Sequence, residues 1–206
     1  MKKICKWLAF ILLSSLVATA TPRTSQDIAV SILAPLLDPV KIATLKGERP
    51  INGRLYRILG WLEIARLAGG DPLDVIDTAQ AVAGYGGSNK ALADRVALCH
   101  SWNNLHEFGC FTVEGVVTLK KGGSPTITRG EHAGEKVHID HILPRSLVPE
   151  LYDCIHNLEP IPSSLNASKG AKVGRSEVEL ARLWHGLGLL SADGLAAVES
   201  AGKLLR

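Results

Sequence analysis

The chain has 206 residues, 46% of them hydrophobic, and a formal net charge of +3, enough for one hydrophobic core with room for a small second lobe. Residues 1–20 hold three lysines and no acid; the 23 basic residues less these three equal the 20 acidic ones, so the rest of the chain is close to neutral. That balance excludes recruitment of a polyanion by the overall field and leaves only a local basic patch to do it.

Residues 1–20 have the layout of a secretory signal peptide. They show a basic start (Lys2, Lys3, Lys6), an apolar run from Trp7 to Val17, and Ala18-Thr19-Ala20 as a small-x-small cleavage site. The run is shorter than the roughly 20 residues a spanning helix needs, and Cys5 precedes it, which argues against a lipoprotein. The expectation is an exported bacterial protein, periplasmic or secreted, with no stable membrane anchor. Of the later cysteines, Cys99 with Cys110 is the preferred pair if a disulfide forms, with Cys154 free; no CxxC supports a zinc ribbon.

Residues 21–110 are predicted to be a helical region whose role the sequence does not give. Leu55, Ile58, Leu59 and Leu62 repeat at helical spacing ahead of Gly69-Gly70. Asp71-Pro72 opens another helix as N-cap and first-turn proline, and Gly84 to Gly87 break it. A third helix is predicted from Ser88, with Leu92, Val96, Cys99, Trp102 and Leu105 as its core-facing stripe. From Phe111 the texture changes: FTVEGVVTLKK, a GGS turn and PTITRG predict a β-hairpin or irregular strand pair. Strands are predicted through Lys136–Ile142 and around Leu158–Ile161. Ser176-x-x-Glu179 is read as a capping box ahead of Leu180, Leu183, Trp184 and Leu187, and a last helix runs from about Ala192 to Leu205.

Several apparent motifs fail on spacing. His106-Glu107 begins like a zinc-protease helix, but Cys110 stands where the second histidine is needed. No G-x-S-x-G occurs, and GYGGSNK lacks phosphate-loop spacing.

The chemistry concentrates in HIDHILPRSLVPELYDCIHNLEPIPSSLNASKG, residues 138–170. On an extended strand His138 and Asp140 face one side and His141 the other, and Pro144 forces the chain to turn. Phosphodiester hydrolysis needs parts of these types. A histidine can activate water at neutral pH, and aspartate and asparagine oxygens suit a hard divalent cation that stabilises the leaving oxygen. Basic side chains can hold phosphate.

These residues resemble the HNH endonucleases, whose site is a ββα-metal finger. The matching pieces are Asp140-His141-Ile142 with Pro144, then Asn157-Leu158, then Asn166 with Lys169. The resemblance implies His141 as general base and Asn157 as the residue that pins the loop and orients that base. It also implies Asp140 and Asn166 as ligands of one Mg2+ or Mn2+ ion, with Asn166 replacing the histidine many members carry. His138, Arg145 and Lys169 are candidate phosphate contacts, and His156 and His132 are left as surface or hydrogen-bonded residues.

The expected fold class is therefore α+β: a ββα-metal (HNH) finger within residues 111–206 (motif core 136–173), a mainly helical N-terminal region, and C-terminal helices. The implied activity is cleavage of nucleic acid, with DNA favoured over RNA as the expected substrate, a choice the sequence itself does not make. The alternative is a non-catalytic secreted nucleic-acid-binding or envelope protein that retains the scaffold. A third reading, a secreted toxin with its own inhibitor protein, is left open by the chain itself.

Overall fold

Capping residues set where the first helices begin. The computed structural model describes residues 24–203, and the leader expected over residues 1–20 lies outside them. The Thr24 hydroxyl accepts from the Asp27 N–H while the Asp27 carboxylate accepts from the Thr24 N–H, a reciprocal box that starts α1 (Ser25–Leu37). Asp38 caps the short α2 (Pro39–Ala43). The longest helix, α3 (Glu48–Leu67), buries Ile51, Leu55, Ile58, Leu59 and Leu62. The Asp71 carboxylate accepts from the Leu73 N–H at 2.8 Å and Pro72 sits in the first turn, so α4 (Pro72–Val82) starts as predicted. Ser88 caps α5 (Asn89–Glu107) through the Ala91 N–H.

The buried face of α5 matches the predicted one in part: Leu105 is buried, and Cys99 and Trp102 pack half-buried against the main core. Ala91, Asp94, Leu98, Ser101 and Leu105 face inward, whereas Leu92 and Val96 are 54% and 60% exposed. Asp94, on the inward side, has a buried partner elsewhere in the chain, described below.

The first arm of the strand pair expected after Phe111 is instead α6 (Val113–Lys120), while the PTITRG arm makes an isolated antiparallel bridge, Thr126 to Lys136. The Thr112 hydroxyl caps α6 through the Gly115 N–H at 3.0 Å, and Glu114 sits in its positive first turn. Tertiary packing then overrides the β-branched composition. α6 lies on α3 where Gly60 has no side chain, and a Cβ there would meet Leu119 Cβ at 2.9 Å.

The strands fall where expected. β1 (Val137–His141) and β2 (Leu158–Pro162) form a two-stranded antiparallel sheet in which Asp140 pairs with Glu159 and His141 with Leu158. α7 (Ser163–Lys169) follows β2 directly and packs on both strands. α8 (Arg175–Gly186) begins earlier than the predicted Ser176 box, because Glu177 reaches back to the Gly174 N–H at 2.9 Å. Glu179 pairs with Arg175 instead. α9 (Ala192–Lys203) ends the described chain.

The fold is α+β, mostly helical. Its main core runs from Ala29 to Leu158, taking in Val137, Ile139 and Leu158 of the sheet, so no core boundary falls at residue 110. A smaller core joins Leu143, Val148 and Leu151 to Val173, Ala181, Trp184, Leu190 and Val198. Each fully buried leucine in these cores contributes about 2 kcal/mol over an exposed one. Residues 137–158 thus bridge two cores, which fixes them from both sides. Cys99, Cys110 and Cys154 are free thiols, so the pairing conditional on a disulfide is not formed, and burial pushes Cys110 up to about 12 and Cys154 up to about 11. Among the described residues no helix is long and apolar enough to cross a membrane.

Candidate active site

β1 distributes its side chains by alternation. Val137 and Ile139 enter the main core, and the Val137 carbonyl is held by the Tyr56 hydroxyl of α3 at 2.7 Å. His138 and Asp140 face α7, while His141 turns toward residue 152. The opposite aiming of Asp140 and His141 follows directly from the two-residue period of a strand.

Asn157 organises the loop between the strands. It is fully buried, in a 3-10 turn (Ile155–Asn157) just before β2. Its Oδ1 accepts from the Leu143 N–H at 2.8 Å, and its Nδ2 donates to the carbonyls of Leu143 at 3.1 Å and Leu151 at 3.3 Å. Its own carbonyl accepts from the Ile142 N–H at 2.9 Å. One side chain therefore closes residues 143–157 into a fixed loop that begins two residues after His141. A buried amide satisfied this fully is costly to disturb.

His141 is fixed by that loop. Its Nε2 lies 2.9 Å from the Tyr152 carbonyl, and its ring stacks on the Tyr152 ring at 5.8 Å and 13°. A carbonyl only accepts, so Nε2 carries the hydrogen. In the neutral ring, Nδ1 then holds the lone pair and is the proton-accepting atom.

On the other face, α7 supplies two rungs. The Asn166 amide nitrogen is 3.2 Å from His138 Nδ1. One turn later, Lys169 Nζ sits 2.7 Å from Asp140 Oδ2, 3.2 Å from Glu159 Oε1 and 3.2 Å from the His141 carbonyl. Burial would lower the Lys169 ammonium, but the Asp140 and Glu159 carboxylates outweigh it and raise it. Asp140 Oδ2 is shielded from solvent and makes no hydrogen bond of good geometry; its contact with Lys169 is ionic. Arg145 lies further out, exposed and ion-paired with Glu48 at the start of α3.

The oxygens of Asp140 and Asn166 are of a kind that suits a hard divalent cation, and the Lys169 ammonium already holds Asp140 Oδ2 at 2.7 Å while the Asn166 amide faces His138. Among the described residues, no three His, Cys, Asp or Glu side chains converge on one metal position. A cation here would rest on few protein oxygens and keep water, as magnesium commonly does.

Three features of this region go further than the sequence reading. His156, left there as a surface or hydrogen-bonded residue, is of the second kind: it is 3% exposed and bonds Asp94 of α5 in the interior. Glu135 accepts from the Ser164 N–H at 2.9 Å and from both the Ser163 and Ser164 hydroxyls, anchoring the start of α7. Glu159 faces Asp140 across the ladder. For Glu159 the available signal was an acid placed opposite Asp140 in the strand pairing; for Asp94 the apolar stripe of α5 offered none, since it pointed to Leu92 and Val96. Compared with protein families, with curated proteins and with solved structures, the chain finds no match.

Proposed function

We propose that the chain is an exported, metal-dependent HNH-type endonuclease that hydrolyses phosphodiester bonds of nucleic acid, DNA in preference to RNA, with β1, β2 and α7 as a ββα-metal finger. The observation that carries the reading is the chain of contacts from Asn157 to His141: a buried amide fixes the loop, and the Tyr152 carbonyl fixes the ring with Nδ1 as its basic atom.

In this reading His141 Nδ1 takes the proton of the attacking water. Asp140 and Asn166 would hold one Mg2+ or Mn2+ ion, which supplies charge stabilisation for the leaving oxygen. Asp140 and His141 serve opposite sides of one phosphate because adjacent strand residues point apart. Arg145 would exchange its exposed partner Glu48 for a phosphate, which a solvated surface ion pair permits. His138 is the nearer candidate, on the same strand face as Asp140. The leader, by removing the enzyme from the cytoplasm, would keep such an activity from its own genome.

Purified protein should nick supercoiled plasmid with Mg2+ or Mn2+, and both a chelator and His141→Ala should abolish nicking. Cleavage that survives both sinks the mechanism.

The Lys169–Asp140 ion pair favours a second reading, a non-catalytic nucleic-acid-binding or envelope protein on the same scaffold, since a carboxylate neutralised from within has less call for a metal. Salt-sensitive DNA binding without metal, and no cleavage under any metal, selects that reading.

A further inference from the structure

Lys169 occupies a position with the chemistry of a cation site. Its ammonium is surrounded by three oxygens from three residues: Asp140 Oδ2 at 2.7 Å, Glu159 Oε1 at 3.2 Å and the His141 carbonyl at 3.2 Å. The two carboxylates are cross-strand partners, a placement that is destabilising for like charges unless a cation lies between them. All three side chains are largely shielded, with 20%, 15% and 22% exposure for Lys169, Asp140 and Glu159. The lysine comes from the last turn of α7, so its long stem can carry the charge out of the cage without moving the sheet.

We propose that Lys169 is a built-in competitor of the divalent cation. Its ammonium holds the oxygens of Asp140, Glu159 and the His141 carbonyl together, and the metal ion enters by displacing it, with Glu159 joining Asp140 as a second carboxylate of the site. This rests on the metal-dependent reading above and adds to it an internal gate. The displaced ammonium, released beside the site, becomes free to meet a substrate phosphate, so metal entry and phosphate capture are linked. Two carboxylates facing one divalent ion are compatible with the charge; two facing nothing are not.

The test reads the lysine itself. The full chain is treated with an amine-acetylating reagent with and without Mn2+, and modification of Lys169 is followed by mass spectrometry against exposed Lys172. Mn2+ should raise labelling of Lys169 severalfold and leave Lys172 unchanged; unchanged or reduced labelling of Lys169 overturns the proposal. This arm uses the unmodified chain and does not depend on a variant folding. In calorimetric titration, Lys169→Met should bind Mn2+ about tenfold more tightly if the ammonium leaves the cage about a tenth of the time. Adding Glu159→Gln should remove that gain. Equal affinity for wild type and Lys169→Met overturns the gate, and no effect of Glu159→Gln removes Glu159 from the site. Plasmid nicking in parallel separates the two ideas. Nicking with no Lys169 response leaves the nuclease reading standing and ends this one; a Lys169 response without nicking does the reverse.

Discussion

Asp94 of α5 and His156, the residue before Asn157, form a buried pair: His156 Nδ1 lies 2.8 Å from Asp94 Oδ1, and the same oxygen accepts the His156 backbone N–H at 3.1 Å. Lys90 completes the arrangement at 2.9 Å from Asp94 Oδ2. On the far side, the His156 ring meets Trp184 of α8 edge-on at 5.0 Å. One acid on the helical front half therefore fixes the backbone beside the residue that closes the candidate catalytic loop. This gives the helical region a physical task, that of a wall against which the loop is set.

Replacing Asp94 should show that task. Asp94→Ala leaves two buried donors of His156 without an acceptor and should cost about 3 kcal/mol. Asp94→Asn keeps one acceptor oxygen and should cost less. Urea denaturation of the three proteins checks the order; equal midpoints would show that the pair anchors nothing.

The same pair explains where the sequence misled. On α5 the inward stripe contains Asp94 and Ser101, while Leu92 and Val96 point outward. Apolar periodicity sets Leu105, Cys99 and Trp102 against the core correctly but misplaces Leu92 and Val96, and the partner of the buried Asp94 lies 62 residues later. At 113–120 the local residues favour strand, and the decision belongs to Thr112 as a cap and to the space above Gly60. By contrast, the Asp71-Pro72 helix start and the alternation of residues 137–141 need no distant partner, and both were legible. The candidate site was legible as a set of residue types. The seating of Lys169 between Asp140 and Glu159 was not, because α7 returns over the sheet only in three dimensions.

Asn157 gives a sharper variant than deletion. Asn157→Asp retains an acceptor for the Leu143 N–H but sets a carboxylate oxygen against the carbonyls of Leu143 and Leu151. The variant should lose about 3 kcal/mol of stability, and plasmid nicking should fall by about a hundredfold or more as His141 loses its fixed loop. Activity retained at the wild-type level would separate the loop from the chemistry.

The helix at 113–120 makes its own prediction. In Gly60→Ala the added Cβ would stand 2.9 Å from Leu119 Cβ and 3.1 Å from the Lys120 nitrogen, so α3 and α6 must separate. Overpacking of this kind should cost about 1–3 kcal/mol despite the better helix propensity of alanine. A hairpin over these residues would leave Gly60 open and let alanine stabilise α3, so the sign of the change in thermal midpoint decides.

Acid should loosen α7 through Glu135. The Ser164 N–H, then His132 and the serine hydroxyls, hold the Glu135 carboxyl down at about 2 against its ordinary 4.5, despite some opposing desolvation. Because the folded value lies below the unfolded one, the unfolded chain takes up this proton first as pH falls. The stability Glu135 supplies is therefore complete above about pH 5 and lost progressively toward about pH 2. Glu135→Gln removes that titration. Thermal midpoints of wild type should exceed those of the variant at neutral pH and fall more steeply with acid, so the two curves converge near pH 2. Parallel curves across this window would mean that the serine contacts do not tie the carboxylate to the start of α7.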